Sequence, residues 1–543
     1  MRGIYLGAGA IAITLLLWQL QFATDAICCG DFDGYYHIKW SRMLWEGLRN
    51  RAFPPVFTWL PLTTLNANDY VDHHLLFHFF QIPFTFGDLR LGAKIASIIF
   101  ASLAVFSCYW LLVHYRIRYV LVWLVALLAC SAAFLFRINM AKAPPLTIIY
   151  LVVAIYLLFK KKYWPLIPLA FVFTLTYDMF VLLILAVVIW VVVIAWTEQR
   201  FEWRPLVWVM LGTIAGFIIN PYFPENLQLF YEHVKIKLLL WEDYSTKVGN
   251  EWYPYSSWEF LGNSLVACVA MVAGYIAFDP ADRKRAHYPL FFLLFSTALM
   301  IMTALWKRSV EIWPPFAVMF AAFALQPWLV GARSAFTRLP ADIMEELEPF
   351  LDRSESVLTE GNELWRTICA AAVAVVLGVV LGANVYRTYG DIESSEPHDH
   401  YRAGAEWMST NVTSAQIIFN TDWDDFPRLF YFDPSHNYVS GLDPSYLYER
   451  DPELSKLYVR ITLGQEEDPG PLIKDRFGAR YVFTDNGHDA FLANAMGSGW
   501  FDIVYEDIDC MILRIRDQKG ETTLGEGDPG DIPDEEPPPN EEP

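Results

Sequence analysis

Long apolar runs recur through the first 388 residues of the chain, and polar connections separate them. A run of about 20 apolar residues is long enough to cross a bilayer as a helix, so the pattern predicts about 11 membrane helices. They are expected at about residues 4–22, 91–113, 119–136, 145–159, 164–177, 179–196, 205–220, 258–278, 289–305, 314–330 and 367–388. The segments 164–177 and 179–196 are joined only by Tyr177-Asp178, so a single re-entrant hairpin is an alternative there.

The connections that carry basic residues all fall on one side of the membrane if every predicted helix crosses. Basic loops mark the cytoplasmic side. The sequence therefore predicts an integral protein of the cytoplasmic (inner) membrane, with its N-terminus inside and its C-terminal region outside. The basic residues in question are Arg2, Arg116 and Arg118, Lys160 to Lys162, Arg200 and Arg204, Arg283 to Arg285, and Arg333 and Arg338.

Two stretches of the long first outer loop, about residues 23–88, have apolar residues near helical spacing. Gly34 to Arg49 and Asp69 to Phe80 are therefore expected to form amphipathic helices at the membrane surface. The first apolar segment has no small-residue cleavage signature, so it is expected to remain as a membrane helix.

The pattern changes beyond Tyr389, where short helical and strand signals alternate. This predicts an extracytoplasmic α/β domain over residues 389–516, after a transmembrane domain over residues 1–388. The strands are expected at Gln416 to Asn420, Ala479 to Thr484, Phe501 to Glu506 and Met511 to Ile515. Residues 517–543 are rich in Gly, Pro, Asp and Glu, which is typical of a disordered acidic tail.

Composition supports this division. The chain is 55% hydrophobic, which is typical of a polytopic membrane protein. Its net charge is −20, and residues 389–543 hold 33 acidic and 11 basic side chains, so the negative charge belongs to the C-terminal part. This balance argues against nucleic acid as a partner. The seven cysteines have no framework spacing, and the adjacent Cys28 and Cys29 are not expected to bridge each other.

An acidic pair, Asp31 and Asp33, follows the first apolar segment directly. Carboxylates at a membrane exit are costly unless they serve a purpose. They could cap the helix that begins at about Gly34, since a carboxylate satisfies free N–H groups at a helix start. Facing a water-filled cavity, an aspartate can instead accept a proton from an attacking hydroxyl, and a pair can hold a hard divalent cation.

A histidine group follows in the same loop, with Asp72, His73, His74 and His78. On a helix His74 and His78 would share one face, one turn apart. This set could bind a metal, could hydrogen-bond a phosphate or an acceptor, or could simply lie at the membrane surface. We assign these four residues to the acceptor side of the site that contains Asp31 and Asp33, or to another part of that site.

Basic residues at the outer boundary form a third group. Lys307 and Arg308 precede a late apolar segment, and Arg137 and Lys142 follow an earlier one. Ordinary snorkelling to the headgroups, or a local ion pair of Arg308 with Glu311, would explain them. A guanidinium near an acidic centre would also suit a phosphate leaving group, which it binds in a bidentate manner.

These features together resemble the GT-C superfamily of membrane glycosyltransferases. The resemblance rests on one span, then a long outer loop that opens Asp31-Phe32-Asp33-Gly34-Tyr35-Tyr36-His37, about 11 spans in all, and an outer C-terminal domain. The opening is most similar to the catalytic subunits of oligosaccharyltransferases. The wider architecture is also similar to protein O-mannosyltransferases and lipid A aminoarabinose transferases.

The resemblance implies roles for particular residues. Asp31 and Asp33 match the acidic motif that acts as base or metal ligand, so Mg²⁺ or Mn²⁺ is a possible cofactor. Glu251 resembles the glutamate of a later outer loop that closes over the acceptor or helps to hold the metal. Arg308 resembles the arginine that binds the carrier phosphate, and Arg137 a second-loop arginine. Where oligosaccharyltransferases have a second acidic motif, this chain has Lys142 and no carboxylate.

The resemblance therefore implies a glycosyltransferase that moves a sugar from a polyprenyl-phosphate-type or diphosphate-type carrier to an acceptor hydroxyl on the outer face. The acceptor is expected to be a glycan, a lipid or a protein. Oligosaccharyltransferase-like transfer of a glycan to protein is one alternative. A transporter or flippase of lipid-linked sugars is another, although the chain has no internal repeat and few ionisable residues near mid-membrane.

Overall fold

The computed structural model describes residues 2–30, 32–235, 249–281, 283, 286–330 and 358–520. Asp31 lies outside the described residues, as do residues 331–357 and the predicted tail from residue 521 onward. Fourteen α-helices lie among the described residues before residue 331. They are α1 Arg2–Gln21, α2 Asp33–Arg49, α3 Leu75–Gln81, α4 Leu89–His114, α5 Val120–Ala129, α6 Ala132–Ile138, α7 Pro144–Phe159, α8 Leu166–Thr176, α9 Val181–Glu198, α10 Arg204–Ile218, α11 Glu225–Val234, α12 Ser257–Ala277, α13 His287–Leu305 and α14 Trp313–Val330.

The remaining helices belong to the C-terminal part, apart from the long α15. They are α15 Leu358–Glu393, α16 Arg402–Asn411, α17 Phe426–Phe432, α18 Ser445–Arg450, α19 Pro452–Thr462, α20 Pro469–Phe477 and α21 Asp489–Ser498. Short 3₁₀ helices lie at Ile82–Thr85, Asp178–Phe180, Asn250–Trp252, Lys307–Glu311 and Trp423–Asp425.

Every one of the predicted apolar segments is helical, but the segments differ in length. Among the described residues, seven helices are long and apolar enough to cross a membrane, or eight if the bent pair α5 and α6 is one span. The helices α7, α8 and α10 are shorter than a full span. The protein is therefore a polytopic helical membrane protein, and the count of about 11 spans stays a prediction.

The segments 164–177 and 179–196 form two separate helices, α8 and α9. Tyr177 between them is extended, with φ −168° and ψ 143°, which breaks the helical path. Together with the 3₁₀ turn at Asp178–Phe180, α9 is long enough to cross by itself. On its other side α8 packs closely on α10, where a Cβ on Gly212 would lie 2.3 Å from the Ile167 carbonyl oxygen. A side chain there would force the two helices apart.

The first outer loop forms two helices, as expected, but the second is shorter than predicted. The helix α2 runs from Asp33 to Arg49, and α3 begins only at Leu75. The helix cannot begin at Asp69, because the Asp72 carboxylate accepts hydrogen bonds from the His74 backbone N–H and from His78. A side chain that bonds its own local backbone in this way competes with the helix.

The adjacent cysteines just before this loop correct one expectation. Cys28 and Cys29 form a disulfide with each other, whereas the sequence analysis expected no bridge. Both side chains are buried beside Met140 and Ile392, so the segment that leads into Gly30 is packed against α15 and the end of α6.

The C-terminal part contains a five-stranded mixed sheet in the order β2-β1-β3-β5-β4. The strands are β1 Ile417–Asn420, β2 Asn437–Tyr438, β3 Tyr481–Asp485, β4 Phe501–Glu506 and β5 Cys510–Ile515. The strand β1 pairs in parallel with β2 and β3, while β5 pairs antiparallel with β3 and β4. Four of these strands lie where the alternation of apolar residues predicts them.

An aromatic cluster joins this sheet domain to the first outer loop. Phe57 stacks on Tyr70 with ring centroids 4.4 Å apart, and Trp59 meets Phe430 of α17 at 4.9 Å. Trp40 of α2 is fully buried in the same cluster. Because aromatic pairs of this kind bury large areas and favour fixed geometries, the cluster holds α2 against the sheet domain.

Candidate active site

Two cavities meet at one end of the membrane helices and share part of their walls. The shared wall consists of Asp33, Trp252, Arg308, Leu442 and Asp443. Asp33 comes from the start of α2, Arg308 from the 3₁₀ turn between α13 and α14, and the last two from the loop before α18. The fold thus brings together residues that lie hundreds of positions apart.

The first cavity, termed here the apolar cavity, has about 1460 Å³ of free space. Many of its walls are side chains from the ends of membrane helices. These include Met179, Leu182, Leu299, Met302, Trp306 and Ile312. The second, termed the polar cavity, has about 1780 Å³ of free space and is bordered by charged residues of several elements. These are Arg137, Lys142, Glu251, Glu259, Lys307, Arg387, Asp391 and Asp424.

Asp33 is the first residue of α2 and is paired with a lysine. Its carboxylate lies 2.8 Å from the Lys142 ammonium, which follows α6. The capping position itself is held by Phe32, without a side-chain hydrogen bond, so Asp33 does not cap α2. A carboxylate in the first helical turn is still favoured by the helix dipole. The role of Asp31 is not described by the structure.

A network of two arginines and two glutamates borders the two cavities, and its Arg308 belongs to the shared wall. Arg137 lies 2.7 Å from Glu251 and 3.1 Å from Glu311. Arg308 pairs with Glu251 as well, and its Nε is 3.6 Å from Glu311. The Arg308 guanidinium also donates to the Tyr177 hydroxyl at 2.9 Å and covers the Trp252 ring at 5.4 Å. The local pair of Arg308 and Glu311 therefore exists, inside a larger network.

Charge pairing fixes the ionisation of this network. Burial alone would raise the pKa of Glu251, but the guanidinium groups of Arg308 and Arg137 outweigh it and hold that pKa far below its ordinary value. Burial opposes the charge of Arg308, yet Glu251 and its other neighbours keep the pKa well above the ordinary value. Both groups are therefore charged, and the four charges sum to zero.

Lys307 lies apart from this network, although it borders the polar cavity. Its ammonium is 3.1 Å from Glu259 and 5.6 Å from the centre of the Tyr255 ring. It is placed to attract an anion toward the site, and it does not contact the arginines in the described interactions.

Asp72, His73 and His74 line the apolar cavity, whereas His78 is fully buried, and the members of the group have different partners. His78 Nδ1 is 2.8 Å from the Asp72 carboxylate, and His78 Nε2 is 2.8 Å from His37 Nδ1. His74 stacks on Tyr177 at 5.2 Å, and His73 lies edge-on to His233 at 5.3 Å. His74 immediately precedes α3, its backbone carbonyl accepts a hydrogen bond from the His78 N–H at 3.0 Å, and the two rings lie 6.1 Å apart.

The arrangement offers no cluster suited to a metal within the described ranges. No group of three or more His, Cys, Asp or Glu side chains there could hold an ion. Asp33 has an ammonium beside it, and His78 bonds His37 and the Asp72 carboxylate. Asp31, the other predicted metal ligand, lies outside the described residues.

Three residues of the site were missed by the sequence analysis. His37 lies one turn after Asp33 on α2, a spacing that could have suggested it. Tyr177 had been noted only as part of a short connection. Arg428 of α17 is fully buried, and its guanidinium lies 4.0 Å from the centre of the Phe32 ring, next to Asp33. No local pattern points to this contact across the chain.

Comparison with known proteins then addresses the fold. No family model matches the chain, and no curated protein matches it. The apo oligosaccharyltransferase of Archaeoglobus fulgidus superposes with a TM-score of 0.57 at 11% identity, covering 96% of this chain and 75% of that one. All the matches described here are GT-C glycosyltransferases.

The chain has the GT-C fold. ArnT from Cupriavidus metallidurans, solved with bound undecaprenyl phosphate, gives a TM-score of 0.53 at 13% identity and covers 93% of this chain and 97% of that one. The mycobacterial arabinofuranosyltransferase AftD gives 0.52 at 14% identity, covering 95% of this chain and 40% of that one. The predicted resemblance to GT-C enzymes is thereby confirmed at the level of fold.

Proposed function

We propose that this GT-C protein is a membrane glycosyltransferase that moves a sugar from a polyprenyl-phosphate-type carrier to an acceptor hydroxyl. The observation that carries the proposal is that Asp33 and Arg308 lie in the wall shared by the two cavities. A lipid phosphate bound at this wall can keep its chain in the apolar cavity while the acceptor enters from the polar one. We place the site on the outer face of the cytoplasmic membrane, with the N-terminus inside.

The proposed reaction is a single inverting displacement at the anomeric carbon. The acceptor oxygen forms the new bond to that carbon, and the bond to the phosphate oxygen breaks with its electron pair. Asp33 accepts the proton of the acceptor hydroxyl. Arg308, with Arg137, stabilises the charge that develops on the departing phosphate.

Lys142 gives this reaction a second source of positive charge. Its ammonium is bound to Asp33 at 2.8 Å before the reaction. When Asp33 takes a proton its charge is lost, so the ammonium is released to pair with the leaving phosphate. Proton transfer and leaving-group stabilisation are coupled in this way. No step of the proposed reaction is assigned to a metal.

The chemical identity of the acceptor distinguishes this proposal from oligosaccharyltransferase-like transfer of a glycan to protein. The structure of the Archaeoglobus oligosaccharyltransferase with a tethered acceptor peptide carrying an NVT sequon gives a TM-score of 0.57 at 10% identity, covering 93% of this chain and 73% of that one. A peptide acceptor is therefore included in the test, together with glycan and lipid acceptors.

The test is a transfer assay on the full-length purified protein with labelled polyprenyl-phosphate sugars. Wild type is compared with Asp33→Asn and Arg308→Ala, and with Asp468→Asn and Arg460→Ala as matched changes at exposed positions of the C-terminal part. Loss of a positioned base lowers the rate about 10²-fold to 10⁴-fold. Equal turnover of all five proteins would refute the site. Movement of the donor across vesicles without transfer would indicate a transporter instead.

A further inference from the structure

Beside Asp33, a chain of hydrogen bonds joins two residues that border the apolar cavity through a buried histidine. It begins at His37, continues through His78 and ends at Asp72, with contacts of 2.8 Å at both links. The fully buried Trp40 donates its indole N–H to Asp72 at 3.0 Å. All three members of the chain are nearly or completely buried. The first outer loop therefore holds a fixed array of titratable groups that the mechanism above does not use.

The ionisation of Asp72 determines which atoms donate and which accept in the His37–His78–Asp72 hydrogen bonds. Burial alone would raise the pKa of Asp72, but the His78 ring and the Trp40 N–H lower it, so the group is a carboxylate that only accepts hydrogen bonds. His78 must therefore donate from Nδ1. When His78 is neutral its Nε2 is an acceptor, so His37 donates from Nδ1. His37 Nε2 then carries a lone pair.

The lone pair on His37 Nε2 can accept a hydrogen bond from a group in the apolar cavity. His37 borders the apolar cavity, and its Nε2 has no hydrogen-bond partner among the described residues. Asp33 precedes His37 by four residues, which is one turn of α2, and both side chains line the same cavity. A single water or hydroxyl can bridge groups at this spacing.

We propose that the Asp72–His78–His37 chain is a proton relay that removes the acceptor's proton from Asp33. This inference rests on the proposed function. The proton passes from the Asp33 carboxyl to His37 Nε2, and the proton on His37 Nδ1 passes to His78 Nε2. The added charge then lies on His78, which remains bonded to the Asp72 carboxylate. Asp33 is again a carboxylate and can pair with Lys142.

The relay has a physical reason to end at His78 rather than at His37. Burial, and then the charges of His78, Lys142, His73 and Arg308, lower the pKa of His37 well below its ordinary value. The His74 ring also faces it, 5.1 Å away. A positive charge is therefore poorly tolerated on His37, whereas His78 has a carboxylate beside it. His37 is the contact group, and His78 and Asp72 are positioning residues.

The experiment combines kinetics with a measurement that does not need activity. His37→Ala and His37→Asn are expected to lower kcat about 10²-fold, with the KM for the donor unchanged. Imidazole added to His37→Ala is expected to restore part of the rate, whereas it should not rescue Asp33→Asn. His114→Ala is the control, because His114 is the last residue of α4 and does not border either cavity, and this variant should keep the wild-type rate.

Asp72→Asn gives the pH signature of the relay. Without the carboxylate, the relay binds a proton less tightly, so the ascending limb of kcat should move to lower pH while its plateau falls. The ¹⁵N spectrum of histidine-labelled wild type should show His37 protonated at Nδ1, assigned by its loss in His37→Asn. Wild-type rates in the His37 variants, or loss of rate without imidazole rescue in folded protein, would overturn the relay. An inactive wild type would refute the proposed function, and His37 protonated at Nε2 would still refute the relay.

Discussion

Substitution of Glu251 by glutamine tests the electrostatics of the arginine network. Arg137 and Arg308 share Glu251 and Glu311 as partners, so the network has no net charge before a phosphate arrives. Glu251→Gln keeps the shape of the side chain and leaves one positive charge in excess. We therefore expect the variant to bind a polyprenyl monophosphate more tightly than wild type does.

The size of the effect follows from the geometry. A carboxylate about 5 Å from a phosphate in an effective dielectric of about 20 costs about 3 kcal/mol. The Glu251 side chain is 21% exposed, so solvent screens part of this. We take about half, which corresponds to an affinity gain of roughly tenfold. The folded state should lose stability, because two buried guanidinium groups share one fewer carboxylate.

The assay is equilibrium binding of a labelled polyprenyl monophosphate to protein in nanodiscs, at low and at high salt. Glu198→Gln is the matched control, because Glu198 pairs with Lys161 at the other end of α9. The control should bind like wild type. Unchanged or weaker binding by Glu251→Gln, in folded protein, would refute the view that Glu251 competes with the phosphate.

Three further predictions concern neighbouring residues. Lys142→Met should lower kcat about 10²-fold, because the Lys142 ammonium supplies the positive charge beside Asp33. For the same reason EDTA should leave the wild-type rate unchanged. A wild-type rate that needs added Mg²⁺ or Mn²⁺ would contradict this prediction. Arg428→Met should lower kcat without changing donor binding, because it removes a cation–π contact worth about 0.5–2 kcal/mol from Phe32, and an unchanged kcat would exclude that role. The pKa of Glu251 is lower in the folded protein than the ordinary glutamate value of 4.5, so its charged form stabilises the fold above pH 4.5. This stabilisation is lost as the pH falls below 4.5. The thermal unfolding temperature of wild type should therefore fall more steeply with acid pH than that of Glu251→Gln.

Local patterns predicted the parts of this protein whose cause is local. Apolar runs give helices, because a segment in a bilayer must satisfy its own backbone groups. The helix after Asp33 and most strands of the sheet were found in the same way. The exception is Asp69–Phe80, where Asp72 bonds the nearby His74 N–H and His78, and also the distant Trp40, instead of entering the helix.

The candidate site was predicted less completely than the helices. Asp33, Arg308, Arg137 and Lys142 were each chosen by residue type and position, and the structure brings all four to adjoining walls. Their partners were not predicted. Arg137 and Glu251 are 114 residues apart, and Arg137 and Glu311 are 174 apart. No pattern within a window of the sequence specifies such pairs.

The sequence by itself determined which segments enter the membrane and which charged residues lie at their ends, because hydropathy is read along the chain. Only the tertiary structure decided which charges meet. The packing of α2 against the sheet domain, and of the short loops against the ends of the membrane helices, places Lys142 on Asp33, Glu251 between two arginines and His37 on His78. These contacts depend on distances in space, and the chemistry proposed for the site depends on them.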